Sequence, residues 1–196
     1  MPTIRTKRVA ALALAACMVF AFGCIFGNDD DDNKPTPVPD FKALTDKENV
    51  IYNLVQSYAK ADVAHYAELL HEDYTWYFNP SDVTMGGLDT FWTRAQDLAA
   101  TTNMFSAAKG QAADPDMNIT TLELTIASAS WAVVDSLDGN PCDDCWETTR
   151  EYLLTLVMHA GEETYISNGL VAFIVVPVDD GGTKLYKLRR TDDLPK

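Results

Sequence analysis

Few residues of this chain have types and spacing that could do chemistry. Cys142 and Cys145 stand in PCDDCWE. Such a pair can close a disulfide, exchange with other disulfides, or donate two ligands to a metal. Exchange chemistry favours a first cysteine at a helix N-terminus, where its pKa falls. Here the pair follows a Gly-Asn-Pro turn between two strand-like segments, beside two aspartates that hold protons on the thiols. Zinc needs two more ligands, and none is close in sequence. A structural disulfide is the expectation, with redox use and metal binding as alternatives. So small a loop would contribute only modest chain-entropy stabilisation.

The three histidines are dispersed. His65 and His71 flank a short helical segment on opposite faces, so they do not converge on a metal. His159 precedes Ala160-Gly161 and reads as a turn residue. Asp82, in NPSD, reads as a turn residue that could approach the mouth of a pocket. No phosphate-binding glycine loop, HExxH or GxSxG occurs. No metal and no cofactor is expected.

Charge narrows the partners. Fifteen basic residues against 29 acidic ones give a net charge of −14. A domain this acidic repels nucleic acid, so no nucleic-acid partner is expected. Solubility is the plainest use of the acidity.

The basic start MPTIRTKR is followed by the apolar VAALALAACMVFAFG at 9–23. That run is shorter than the ~20 apolar residues a membrane span requires. It reads as a secretory signal. Its end, AFGC, resembles a bacterial lipoprotein signal, in which a small residue precedes the lipidated cysteine. The resemblance implies a signal over 1–23 and lipidation at Cys24. LAAC makes Cys17 the alternative, although a cut there would leave MVFAFGCIFG exposed after the anchor. A plain cleaved signal and a soluble product form the other alternative.

Residues 24–40 then form an acidic, proline-rich tether. The four aspartates of GNDDDDNKPTPVPD repel one another and stay solvated, and prolines 35, 37 and 39 favour extended geometry. A flexible aspartate run lacks the fixed geometry of a calcium site. Ile25-Phe26 does not resemble an inner-membrane retention signal. The expected location is the bacterial envelope, lipid-anchored at the outer rather than the inner membrane, periplasmic or surface-exposed.

Beyond the tether, local signals place the elements. Thr45-Asp46-Lys47-Glu48 reads as a capping box, followed by Ile51, Leu54, Val55 and Tyr58 at helical spacing. Asp62 can cap a second helix bearing Val63, Tyr66, Ala67 and Leu70. YTWYFN (74–79) reads as a strand. NPSD and MGG read as chain breaks. A third helix is expected over 89–107, burying Phe91, Ala95, Leu98, Thr102 and Phe105. Long strands are expected over 118–135, with a bulge near Ser130, then 146–159, 163–178 and 183–190, the last pair joined by a Gly181-Gly182 hairpin. LVAFIVVPV (170–178) must be covered on both faces.

The expected fold is α+β: a curved antiparallel sheet of four long strands plus a short one, with about three helices packed on it, in one domain over 41–192. NVIYNLVQSYAKADVAHYAELLHEDYTWYFNP and the closing LYKLRRTDDL resemble the nuclear-transport-factor-2-like superfamily, the cystatin-like cone of SnoaL-like cyclases and ketosteroid isomerase. The resemblance spans about 45–190.

In isomerase-like members, a first-helix tyrosine and two acids inside the cone do the chemistry. Tyr58 matches the tyrosine. The base would fall near Phe78 or Asn79, and no acid occurs from Thr164 to Val178, where the second would lie. No catalytic residue is therefore assigned. Tyr58, Trp76, Phe78, Asn79 and Trp92 are the pocket candidates, suited to an apolar or ring-bearing ligand unless they simply fill the cone. The expected function is an anchored, non-catalytic domain binding a small apolar ligand or a protein partner. The alternatives are a SnoaL-like isomerase, dehydratase or hydrolase, and a structural subunit that dimerises through the apolar sheet face.

Overall fold

The computed structural model describes residues 40–86, 89–158 and 163–195. The expected signal, Cys17, Cys24, nearly all of the tether, and His159 lie outside the described residues.

Helix α1 (Lys47–Lys60) is opened by Asp46, whose carboxylate accepts the Glu48 N–H at 2.7 Å. The cap thus sits one residue past the expected Thr45. Glu48 does not fold back on the cap, because Arg150 and Trp131 hold its carboxylate. Val50, Leu54 and Ser57 bury one face at helical spacing. Asp62 caps α2 (Val63–Leu69) by accepting the His65 N–H at 3.1 Å. Strand β1 (Leu70–Tyr77) follows directly.

The next segment corrects the sequence reading. NPSD opens a helix, α3 (Pro80–Gly86), instead of breaking the chain. Pro80 occupies its first position, where a fixed φ and a missing N–H cost nothing, and Asn79 accepts the Ser81 N–H at 3.0 Å. Phe91–Thr93 is a short strand, β2, paired antiparallel with β1, so helix α4 starts only at Arg94 and runs to Ala108. The buried stripe of α4 is Asp97, Thr101 and Phe105. Ala95 is exposed, and Leu98 and Thr102 are half-buried. Phe91 is exposed too, so of the expected stripe only Phe105 is fully buried, and an aspartate with a partner lies at the centre of the true face.

A 3₁₀ turn (Pro115–Met117) leads into the remaining strands: β3 (Ile119–Ile126), β4 (Ala132–Leu137), β5 (Asn140–Met158), β6 (Glu163–Asp180) and β7 (Thr183–Leu194). The single strand expected over 118–135 is therefore two. The Thr148 hydroxyl bonds the Ser130 carbonyl at 3.0 Å, and Arg150 reaches the Ala127 and Ala129 carbonyls. These donors hold the intervening segment off the ladder. β5 also begins earlier than expected, after an Asp138-Gly139 turn with φ of 52° and 81°. The cysteine pair lies within it.

Among the described residues the sheet order is β2-β1-β7-β6-β5-β3, with β4 beside β3 on the same edge of β5. All pairings are antiparallel except β1 with β7. The Gly181-Gly182 turn joins β6 to β7 with φ of 61° and 89°, the positive values a tight hairpin demands. The fold class is the expected α+β arrangement of a curved, unclosed sheet with helices packed on it. Val171, Phe173 and Val175 of β6 pack into the core with Val50, Leu54, Tyr66 and Phe105 from the helices. Ala172, Ile174 and Val176 are buried on the opposite face. There Ile174 stands in register between Glu147 and Arg190, and Arg190 pairs with Asp192 at 2.8 Å.

Candidate binding site

Four elements bring aromatic rings to the centre of the cone. Tyr58 (α1) and Tyr66 (α2) both meet Phe105 (α4) edge-on, at centroid distances of 5.2 and 5.9 Å. Tyr74 comes from β1 and is buried. Tyr66 and Tyr74 each have a hydroxyl partner, as buried polar groups require. Tyr66 donates to Asp97 Oδ2 at 2.7 Å and Tyr74 donates to Thr191 Oγ1 at 3.0 Å, while Tyr58 stands beside Thr101. Burial raises the pKa of all three, so they stay protonated across the physiological range. Burial also lifts the Asp97 carboxyl to about 6, against the opposing pull of the Tyr66 hydrogen bond.

Inside these rings lies a cavity of about 60 Å³, lined by Tyr58, Tyr66, Tyr74, Trp76 and Thr191 together with apolar side chains of α1, β3, β5, β6 and β7. Ligand pockets usually measure ~300–1,000 Å³, so the cone is largely filled by its own side chains. Asp97 is not on this wall; it stands behind Tyr66. Among the described residues the wall carries no carboxylate, imidazole or amine. It does carry Trp76, whose indole Nε1 is buried and has no hydrogen-bond partner.

The sequence candidates separate. Tyr58 and Trp76 are on the cavity wall. Phe78 and Trp92 are not; they pack perpendicular to each other at 4.8 Å beside the paired β1 and β2. Asn79 caps α3 and lines a second, open recess of about 620 Å³ with Asp82, Ser167, Asn168 and Asp193. Tyr152 of β5 borders both the recess and the inner cavity. Asp97 and Tyr152 carry no signal in the sequence, and Tyr66 is legible there only as a residue of the second helix, not as a partner of Asp97. A tyrosine and an aspartate 31 residues apart give no local signal.

Two further clusters hold the frame. Cys142 and Cys145 form a disulfide, with Cα atoms 5.7 Å apart. Between them Asp144 adopts φ of 59°, and its carboxylate accepts from Trp146, Lys184 and Tyr186 at 2.7–2.8 Å. Those bonds pull its pKa down to about 2. His65 pairs with Asp62 at 2.8 Å and stacks on Phe41, while His71 lines a separate groove near Arg189 and the disulfide. Among the described residues no three metal-ligating side chains cluster.

These features define a class: an α+β cone with an apolar, tyrosine-rich interior and a polar mouth. No family model and no curated protein matches the sequence. Solved structures do match the fold. A conserved protein from Planctomyces limnophilus aligns over 75% of this chain and 91% of its own, at 14% identity and a TM-score of 0.54. The beta subunit of the benzoate 1,2-dioxygenase from Burkholderia mallei aligns over 78% of this chain and 90% of its own, at 12% identity and a TM-score of 0.50. An NTF2-like protein from Rhodospirillum rubrum aligns over 75% and 95%, at 13% identity and a TM-score of 0.49. At such identities the likeness is one of fold alone.

Proposed function

We propose that this chain is a lipid-anchored protein of the bacterial envelope whose cone domain binds a small, mainly apolar ligand without transforming it. The observation that carries the binding role is the cavity wall. It is apolar, the Tyr66 and Tyr74 hydroxyls on it are already held by partners, and Trp76, whose buried N–H has no acceptor, stands in it. An unsatisfied buried donor costs about 1–3 kcal/mol, which a ligand oxygen would recover. Asp97, the buried carboxyl nearest the cavity rings, is not placed to act as a base. A general base must come within hydrogen-bond reach of the proton it takes, and Asp97 faces Tyr66 behind the wall.

Native mass spectrometry of the protein purified from its own host tests the binding role. A retained mass of a few hundred daltons supports it; bare protein under gentle desolvation counts against it. The anchor is tested by growth with a clickable palmitate analogue. Labelling should survive Cys17→Ser and vanish with Cys24→Ser; the reverse would move the anchor to Cys17, and no labelling of the parent would remove it.

A structural, dimerising role is the second reading. Leu153, Ile166 and Leu170 lie exposed on β5 and β6, and Ile166 is 64% exposed. A second copy could cover them. A light-scattering mass equal to one chain would eliminate this reading.

A further inference from the structure

We infer that Tyr152 is a movable wall joining the open recess to the inner cavity, and that the combined site takes a small amphiphile with an uncharged or cationic head. This rests on the apolar-ligand reading above and specifies it. Neither hollow suffices alone. The inner cavity, about 60 Å³, is apolar but too small for a ligand body, while the recess, about 620 Å³, is roomy but polar and open. Tyr152 lines both.

The surroundings of Tyr152 suit a side chain that moves. Opposite it on β6 stands Gly169, which has no side chain to hinder the ring. Its hydroxyl is held by one contact, Ser167 Oγ at 3.1 Å, in an exposed position where water can replace it. The ring is half-buried and packs against the edge of the core. Tyr58, Tyr66 and Tyr74, by contrast, are fixed by burial deep in the cone, and Tyr66 and Tyr74 also by their hydroxyl partners. Swinging Tyr152 aside would lengthen the apolar space toward Leu124, Ile126 and Leu154 and open it at the recess.

The recess sets the head. Its polar side chains are Asn79, Ser81, Asp82, Ser167, Asn168 and Asp193, with no lysine, arginine or histidine lining it among the described residues. Both aspartates act electrostatically on Tyr152. A carboxylate or sulfate head would meet like charge there, whereas hydroxyl or ammonium heads find acceptors.

Calorimetric titration tests the inference on the mature chain from residue 24, carrying C24S and exported behind a plain cleavable signal, so that neither the apolar leader, lipid nor detergent competes. The probes are octan-1-ol, octylamine and sodium octanoate. Octanol and octylamine should bind, and octanoate should bind about tenfold more weakly or not at all. Tyr152→Phe, which releases the Ser167 contact, should tighten octanol about threefold by raising the open fraction. Asp82→Asn should weaken octylamine and leave octanol unchanged. If octanol and octylamine both fail to bind, the apolar-ligand reading itself fails. If octanoate binds as well as octanol, head selection is overturned while that reading stands. If octanol binding is indifferent to both Tyr152→Phe and Tyr152→Ala, Tyr152 is not the wall that moves.

Discussion

Arg150 Nη2 lies 2.6 Å from Glu48 Oε2 and ties the first turn of α1 to the middle of β5. The two partners are unequal: the arginine side chain is 1% exposed and the glutamate 53%. Arg150 also lies over the Trp131 ring, at 5.3 Å from its centroid. Removing Glu48 strands a guanidinium in the interior, whereas removing Arg150 leaves a carboxylate that water can reach. Glu48→Ala should therefore cost about 2 kcal/mol, the usual penalty for breaking a buried pair reduced for the solvent around Glu48. Arg150→Met should cost less. Urea midpoints at unchanged m-value measure both, and the opposite ranking would refute this account.

The same pair gives a pH dependence. Hydrogen bonding to Arg150 lowers the Glu48 pKa from its ordinary 4.5. A depressed carboxyl stabilises the fold above its unfolded pKa, and that stability is lost as the pH falls through the folded value. The stability gap between parent and Glu48→Gln should thus be present at pH 7 and shrink below about 4.5. A gap independent of pH from 7 to 3 would mean that packing, not charge, joins these residues.

Asp97 behaves in the opposite sense. Its carboxyl titrates at about 6 in the fold and near the ordinary 3.8 when unfolded. Between those values the unfolded chain releases a proton that the folded chain keeps, so stability falls as pH rises from about 4 to about 6 and then levels. The difference amounts to about 3 kcal/mol at most. Asn in place of Asp97 can still accept the Tyr66 hydrogen bond and carries no charge. Asp97→Asn should leave stability unchanged at pH 4 and raise it by about 1–3 kcal/mol at pH 7.5. Thermal melts at the two pH values decide it, and a destabilised variant at pH 7.5 would show that the ionised carboxylate has a partner that stabilises it.

Much of this fold is legible in local sequence because local chemistry dictates it. Asp62 caps α2, Gly181-Gly182 turns the final hairpin, and the unbroken apolar run in β6 is buried on both faces. The errors arise where a distant partner overrides a local signal. The strand expected through Ser130 is interrupted because Thr148 and Arg150 claim its carbonyls. The buried face of α4 was misread because Tyr66 makes burial of Asp97 tolerable. Tyr58 and Trp76 could be marked as pocket candidates from their positions in the pattern. Tyr152 could not, since its role depends on Gly169 across the ladder and on Asp82 from α3.

The disulfide closes only a short loop, so it should contribute about 2 kcal/mol or less. Asp144, between its cysteines, is bound by Trp146, Lys184 and Tyr186, which keep the loop in place by other means. Reduction should therefore leave the far-ultraviolet spectrum unchanged and lower the urea midpoint modestly. Cys145 is 1% exposed and Cys142 is half-buried, so iodoacetamide should label Cys142 first after reduction. Global unfolding on reduction, or equal labelling rates, would show that the disulfide holds more than its loop.

Phe105 offers the most direct test of how the cone is filled. It is fully buried and meets edge-on both Tyr58 and Tyr66, which line the existing cavity. Truncation to alanine removes a ring where those tyrosines cannot readily collapse, since Asp97 holds the Tyr66 hydroxyl and Tyr58 is buried among its neighbours. Phe105→Ala should cost about 3–5 kcal/mol, and Phe105→Leu clearly less. The space created is apolar and enclosed, so it should admit a small hydrocarbon such as benzene and recover part of the lost stability by mass action. The melting temperature of Phe105→Ala should rise with added benzene while that of the parent changes little. An equal response in both would mean that the cone is already open; none in either would mean that the tyrosines had closed the gap.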